Sequence, residues 1–220
     1  MNDHNALLSI YDFDGTIYNG DSLIDFWIFT MRQYPRALLF LPYQIILSIL
    51  FLVKIKSAKK LKEAFLLPLN FLDAHQQQLL LKHFWIKHKS KINPWVSKHI
   101  AKERSERCEL ICISASPEFL LAPIMNELQF NYLIGSIFKT NQHGQIKPVM
   151  TSENCKGIEK VNRLNASFDN NYIIHNFYSD HKSDMPLFKL AKNKFLVTDG
   201  EVKPCDICSA SGKLCIKNHY

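Results

Sequence analysis

From Asp21 to Arg107 the sequence contains no glycine, and prolines are sparse there: Pro35, Pro42, Pro68 and Pro94. Leu and Lys recur at helical spacing through the same stretch, which excludes a turn-rich β region and reads as all-helical. Charge is missing as well between Arg36 and Lys54, where ALLFLPYQIILSILFLV runs without one ionisable carboxylate or base. The N-terminus, MNDHNALLSIYD, lacks the basic stretch followed by an apolar run of a secretory signal, so no such signal is expected. Six cysteines without a signal read as reduced thiols in a cytosolic compartment. There is no internal repeat and no recognised nucleic-acid module, so no nucleic-acid partner is expected. At 47% hydrophobic and 21% charged residues the chain is not disordered by composition. Acids are outnumbered, 20 against 27 Lys and Arg, and the net charge of +7 suggests an anionic partner: phosphate, nucleic acid or lipid head group.

What is present outside the helical stretch is an alternation of short apolar runs and helical segments. Ala6 to Tyr11, Glu109 to Ser114 and Tyr172 to Tyr178 each suit a strand buried on both faces. Pro117 opens a helix in SPEFLLAPIMNEL. Tyr132 to Lys147 reads as a strand pair turning at Asn141-Gln142-His143-Gly144, and Ser152 as the cap of a helix running to about Leu164. A helix from about Ser183 and a short last strand, Lys194 to Thr198, complete the pattern. The expected fold class is α/β: a Rossmann-like, mostly parallel sheet with helices on both faces, plus an all-helical cap inserted after the first strand. The expected division is a core of 1–17 and 108–220, with the cap at 18–107 and its apolar segment at 37–53.

The first apolar run ends on two carboxylates, in LSIYDFDGTI. Residues i and i+2 of a strand share a face, so Asp12 and Asp14 converge at the carboxyl end of the first strand, where open α/β sheets place ligands. Two acids so close are favourable when a cation sits beside them or one keeps its proton. Gly15 lets the chain leave the strand abruptly, and neighbouring N–H groups can face an anion. A calcium loop fails on register, because Ile17 would hold the glycine position and Leu23 the glutamate position.

Three further strand ends carry fitting polar groups, and together they resemble the haloacid dehalogenase superfamily, in its phosphoserine phosphatase-like branch. Asp12-Phe13-Asp14-Gly15-Thr16 is similar to the first motif of that family, and Ser114, in ICISASPE, to the second. Lys156, in CKGIEKV, matches the third, with Lys147 and Lys160 as rivals. Asp180 and Asp184, in YSDHKSDMP, match the fourth. The resemblance implies a phosphatase in which Asp12 is the nucleophile and Asp14 the general acid and base. It further implies that Ser114 and Lys156 bind phosphate, with Phe13 and Ala115 beside them. Mg²⁺ would be held by Asp12, the main-chain carbonyl of Asp14, and Asp180. Asp184, Gly15 and Thr16 would support the site. Lys156 lies in the first turn of its expected helix, where a positive charge opposes the helix dipole and a bound phosphate would offset that. His181 stands where relatives carry Ser or Gly.

Within the family, the insertion most resembles the corresponding segment of phosphatidylglycerophosphatase C, through RQYPRALLFLP, the apolar run and the basic KIKSAKK. That likeness implies a lipid phosphomonoester, an anionic membrane surface as partner, and a cytoplasmic protein peripheral on the inner membrane. The apolar run alone leaves three readings open: a buried cap helix, a monotopic contact or a span, the last barely reaching the length required. The substrate also stays open to a small soluble phosphomonoester such as phosphoserine, and the reaction to a phosphotransferase or a non-hydrolytic phosphate-binding homologue. Near the C-terminus, Cys205, Cys208, Cys215 and His219 could bind zinc, although a loosely packed tail of reduced thiols suits their short spacing better.

Overall fold

Leu8 and Ile10 point to one side of the first strand, β1 (Ala6–Tyr11), and Ser9 and Tyr11 to the other, and all four are buried. The computed structural model describes residues 6–207 and 214–216. Five α-helices follow β1: α1 (Ser22–Gln33), α2 (Leu41–Leu52), α3 (Ala58–Phe65), α4 (Ala74–His88) and α5 (Trp95–Ser105). The chain then continues through β2 (Glu109–Pro117), α6 (Glu118–Glu127) and β3 (Tyr132–Ser136). Next come β4 (Phe138–Thr140), β5 (Ile146–Met150), α7 (Ile158–Phe168), β6 (Tyr172–Ser179) and α8 (Met185–Leu190). The last described elements are β7 (Asn193–Thr198), β8 (Glu201–Ile207) and β9 (Leu214–Ile216).

The main sheet has the order β3-β2-β1-β6-β7-β8-β9. Its first five strands are mutually parallel, and β8 and β9 add an antiparallel edge. Because β1 lies between β2 and β6 in parallel register, Tyr11 is level with Cys112 and Tyr178, so β1 and β6 end beside the Ser114 stretch of β2. Helices cover both faces, as an α/β protein with buried strands requires. On one face Tyr11, Leu110, Cys112 and Tyr178 pack with Phe84, Val96 and Leu121 from α4, α5 and α6. On the other, Leu8, Ile10, Ile111 and Phe177 pack with Leu164, Leu187 and Phe188 from α7 and α8. Each fully buried side chain of this size contributes roughly 1.5–3 kcal/mol.

The return from the helical insertion to the sheet is pinned by a buried acid. Glu103, near the end of α5, accepts hydrogen bonds from Ser9 Oγ (2.6 Å), Asn176 Nδ2 (2.5 Å) and Tyr178 OH (2.6 Å). Three neutral donors from β1 and β6 thereby spread its charge and fix α5 on the sheet.

α2 is arranged inside out for a water-soluble helix. Its buried residues are Gln44 and Leu47. Gln44 accepts from Trp27 Nε1 (3.0 Å) and donates to the Ala64 carbonyl (2.9 Å), tying α2 to α1 and α3. Only 17% of the apolar stretch Pro35–Leu52 is buried, which overturns the reading of a buried helix. Leu39 and Leu52, each 76% exposed, and Ile45, Ile46 and Ile49 face outward.

Three further expectations differ from the structure. The helix expected from Ser152 begins only at Ile158, because Gly157 takes a positive φ of 62° that a right-handed helix does not contain. The strand pair expected over Tyr132–Lys147 divides: β3 joins the main sheet, while β4 and β5 make a separate antiparallel pair around the Asn141 turn. The loosely packed tail is instead sheet where it is described, since β8 pairs with β7 and β9 with β8. Cys205 is buried and Cys215 is disulfide-bonded, so its sulfur is neither a reduced thiol nor a thiolate ligand for zinc. Cys208 and His219 lie outside the described residues.

Removing the Glu103 carboxylate leaves buried donors on Ser9, Asn176 and Tyr178 unsatisfied. Glu103→Ala is expected to lower stability by about 3 kcal/mol in urea titration, and Glu103→Gln by less, since it keeps one acceptor.

Candidate active site

At the ends of β1 and β6, beside the Ser114 stretch of β2, lies a cavity of about 390 Å³. Asp12, Asp14, Ser114, Ala115, Lys156, Asp180 and Asp184 all line it, so the four expected segments meet at one place. Phe13 does not: it is fully buried beneath, stacked on Tyr18 with the ring centres 5.7 Å apart. Its side chain anchors the turn that carries both acids.

The centre of the site is an ion-pair triad. Lys160 Nζ lies 2.9 Å from Asp12 Oδ1 and 2.7 Å from Asp184 Oδ2, and all three groups are buried. Lysine 160, not Lys156, is therefore the cation that reaches Asp12. The dipole argument selects the first turn of α7, and with the helix starting at Ile158 that turn contains Lys160. Lys156 precedes Gly157, outside the helix, and lines the cavity from there. Burial works against a charged Lys160, yet Asp12 and Asp184 outweigh it and hold its pKa above the ordinary value. For Asp12 burial is the largest influence and raises the pKa, while Lys160 opposes it.

Asp14 is held differently. Its Oδ1 accepts the Ser22 backbone N–H at 2.6 Å, at the start of α1, and its Oδ2 accepts the Ser116 hydroxyl at 2.5 Å. Burial pushes its carboxyl up to about 6, against the lowering effect of these hydrogen bonds. Such a group exchanges a proton near neutral pH.

Ser114 is buried, and its Oγ accepts the Ser116 N–H at 3.0 Å. A hydroxyl that accepts from the backbone keeps its own O–H to donate. Asp180 follows β6, and its backbone N–H donates to Thr16 Oγ1 at 3.0 Å. Gly15 has φ +74°, and an added Cβ would lie 2.1 Å from Asp180 Oδ2, so a side chain there would displace the acid. Burial raises the Asp180 pKa. Asp184 uses Oδ2 for Lys160 and for the Ser179 hydroxyl (2.8 Å), while its buried Oδ1 has no hydrogen-bond partner among the described residues. His181 Nδ1 accepts the Ser183 N–H at 2.9 Å, so this ring caps the turn before α8.

Sequence reasoning missed Ser22, Ser116 and Lys62. Ser22 acts through its backbone N–H, which no residue pattern marks. The Ser116 signal was its i+2 relation to Ser114. Lys62 arrives from α3 and touches the Ala115 carbonyl and Asn154 Oδ1, a placement set by tertiary packing alone.

The donor set suits a hard divalent cation. Asp12 and Asp180 offer carboxylate oxygens, and the orphaned Asp184 Oδ1 a further acceptor.

Lys160→Met would leave Asp12 and Asp184 buried without their cation, an uncompensated arrangement worth about 3–5 kcal/mol. A carboxyl whose folded pKa is raised favours the protonated folded state, so its stabilising effect is present at low pH and is lost as pH rises. The variant is therefore expected to lose more stability at pH 8 than at pH 5, read from urea midpoints at both; an equal loss would contradict the assigned triad.

Residues 10–189 match the family described as haloacid dehalogenase-like hydrolase. Among curated proteins the chain is similar to Protein CicA of Caulobacter vibrioides, 28% identical over 91 residues, which is 41% of this chain and 41% of that one. Among solved structures it is similar to a protein of unknown function from Bordetella pertussis Tohama I. That likeness has a TM-score of 0.75 at 16% identity and covers 87% of this chain and 89% of the other. A phospho-aspartyl intermediate analogue of phosphoserine phosphatase superposes with a TM-score of 0.58 at 13% identity, covering 87% and 86% of the two chains. The match over residues 10–189 takes in the end of β1, the insertion, β2, α7, β6 and nearly all of α8, and the chain belongs to the haloacid dehalogenase-like hydrolase family.

Proposed function

We propose that this enzyme is a magnesium-dependent phosphomonoesterase working through Asp12, and that its substrate is a lipid phosphate presented at an anionic membrane surface. The observation that carries the hydrolytic reading is the pairing of two unlike acids. Burial raises both carboxyls, but Asp12 is held by a lysine that opposes the rise, and Asp14, two residues on, is held by neutral donors with its pKa raised to about 6. One Asp12 oxygen forms a bond to phosphorus as the bond to the leaving oxygen breaks, and Asp14 gives its proton to that oxygen. Asp14 then takes a proton from water, whose oxygen bonds to phosphorus and releases Asp12. The Ser114 hydroxyl donates to a phosphoryl oxygen, and Lys160 keeps Asp12 oriented. Mg²⁺, held by Asp12, Asp180 and the Asp14 carbonyl, would supply charge that screens the nucleophile from the anionic substrate. A phospho-aspartyl analogue on a phosphatase of the same fold supports this chemistry.

The lipid reading rests on the insertion, residues 18–107, taken as a cap over the core. Phe51 at the end of α2, with Leu61 and Phe65 of α3, forms an apolar wall of the cavity. The exposed apolar face of α2 is thus continuous with the cavity, and Lys54, Lys56, Lys59 and Lys60 follow it. An apolar face with a basic border suits an anionic bilayer interface. The α-helical part is twelve residues long, about 18 Å, against a hydrocarbon core of about 30 Å, which favours a helix lying on the membrane over one crossing it. The likeness of the insertion to phosphatidylglycerophosphatase C points the same way, and peripheral attachment at the cytoplasmic face of the inner membrane follows from this reading.

Asp12→Asn is expected to cut phosphate release from p-nitrophenyl phosphate by at least a thousandfold while circular dichroism stays unchanged; substantial residual turnover rules Asp12 out as nucleophile. Mg²⁺ is expected to raise the melting temperature more at pH 7.5 than at pH 5, where the raised carboxyls hold protons, with the increment shrinking in Asp180→Asn. In liposome flotation the chain should rise with vesicles containing phosphatidylglycerol, and the double change Ile46→Lys, Ile49→Lys should leave it at the bottom. No flotation together with a preference for phosphoserine over phosphatidylglycerophosphate rejects the lipid reading.

A further inference from the structure

Lys160 is committed to Asp12 and Asp184, but two other lysines line the same cavity: Lys62 from α3 and Lys156 from the segment before α7. Lys62 Nζ donates to the Ala115 carbonyl and, at 2.6 Å, to Asn154 Oδ1. Both acceptors are neutral, and an ammonium has three N–H donors, so one is left for a ligand. Burial draws the Lys62 pKa down to about 8; Asp14 and Asp21 resist this, and the charge of Lys156 adds to the fall. A partly desolvated cation beside a second cation, with carbonyls as its hydrogen-bond partners, is stabilised by an incoming anion. The Ala115 carbonyl that holds Lys62 belongs to the residue after Ser114, which places the lysine next to the expected phosphoryl position but on the insertion side of it.

We propose that Lys62 and Lys156 form a subsite for a second anionic group, a phosphodiester or carboxylate, carried by the leaving group of the phosphomonoester. The substrate class is then a phosphomonoester with another anion a few bonds away, as in a lipid head group with two phosphates or a small phosphorylated acid. The subsite rests on the hydrolase reading for its orientation, but its binding is measurable without turnover.

Calorimetric titration of the full Asp12→Asn chain in Mg²⁺ tests it with two matched pairs of probes. The soluble pair is 3-phosphooxypropanoate against propyl phosphate; the lipid pair is micellar phosphatidylglycerophosphate against phosphatidic acid. The second anion is expected to tighten binding at least tenfold in one pair, and the responding pair identifies the source. Adding Lys62→Met or Lys156→Met should reduce that gain below threefold, and Lys62→Arg should restore it. Lys156 is exposed, so its variant keeps the test decisive should Lys62→Met fail to fold. Equal affinity within both pairs, no binding of any probe, or a gain that survives both Met variants overturns the subsite. A gain that persists in a chain whose Asp12 form releases no phosphate from p-nitrophenyl phosphate rejects the hydrolase reading instead.

Discussion

The bridge from Lys160 to Asp12 and Asp184 is the interaction on which the rest of the site depends. It joins α7, the end of β1 and the turn after β6 in one desolvated contact. Two carboxylates buried at the carboxyl ends of neighbouring central strands repel each other and leave water at a penalty, and one buried ammonium between them relieves both. Charge on each partner becomes tolerable only while the other two are present. The carboxyl ends of the central strands can therefore open into a cavity rich in acids without loosening the sheet.

Around that bridge the two acids of the β1 turn are differentiated by their partners. Asp12 faces a cation, which opposes the rise that burial imposes on its carboxyl. Asp14 faces a backbone N–H and a hydroxyl, which leave room for a proton near neutrality. The difference arises because the chain turns sharply at Gly15, sending Asp14 toward α1 and β2 while Asp12 stays over α7. The same turn packs against Asp180, where only hydrogen fits. One glycine thus separates the environments of two acids and admits a third.

The helical insertion adds a different chemistry at the other wall of the cavity. Its α2 turns Gln44 and Leu47 inward and Ile45, Ile46, Ile49 and Leu52 outward, the reverse of what water favours. Its α3 sends Lys62 toward the strand ends and leaves Phe65 and Leu61 beside it. The floor is thereby polar and acidic, the rim basic, and one wall apolar.

Strands buried on both faces announce themselves in sequence as continuous apolar runs, so β1, β2 and β6 and the polar residues that end them were readable from local pattern. The absence of glycine between Asp21 and Arg107 likewise announced helices. Local pattern failed where a backbone angle, not a side chain, decided the outcome. Gly157 with its positive φ delays α7 by two residues past Lys156, and that delay moves the first-turn cation to Lys160. The residues around Asp14 were unreadable for a related reason: one of its donors is a main-chain N–H, and Lys62 reaches the cavity only once α3 has docked on the core. Sequence by itself determined which residue types end each strand and that those strands are buried. Which lysine meets Asp12, and which face of α2 meets solvent, depended on helix register and long-range packing, because a desolvated ion pair and an exposed apolar surface exist only between segments that the chain brings together in space.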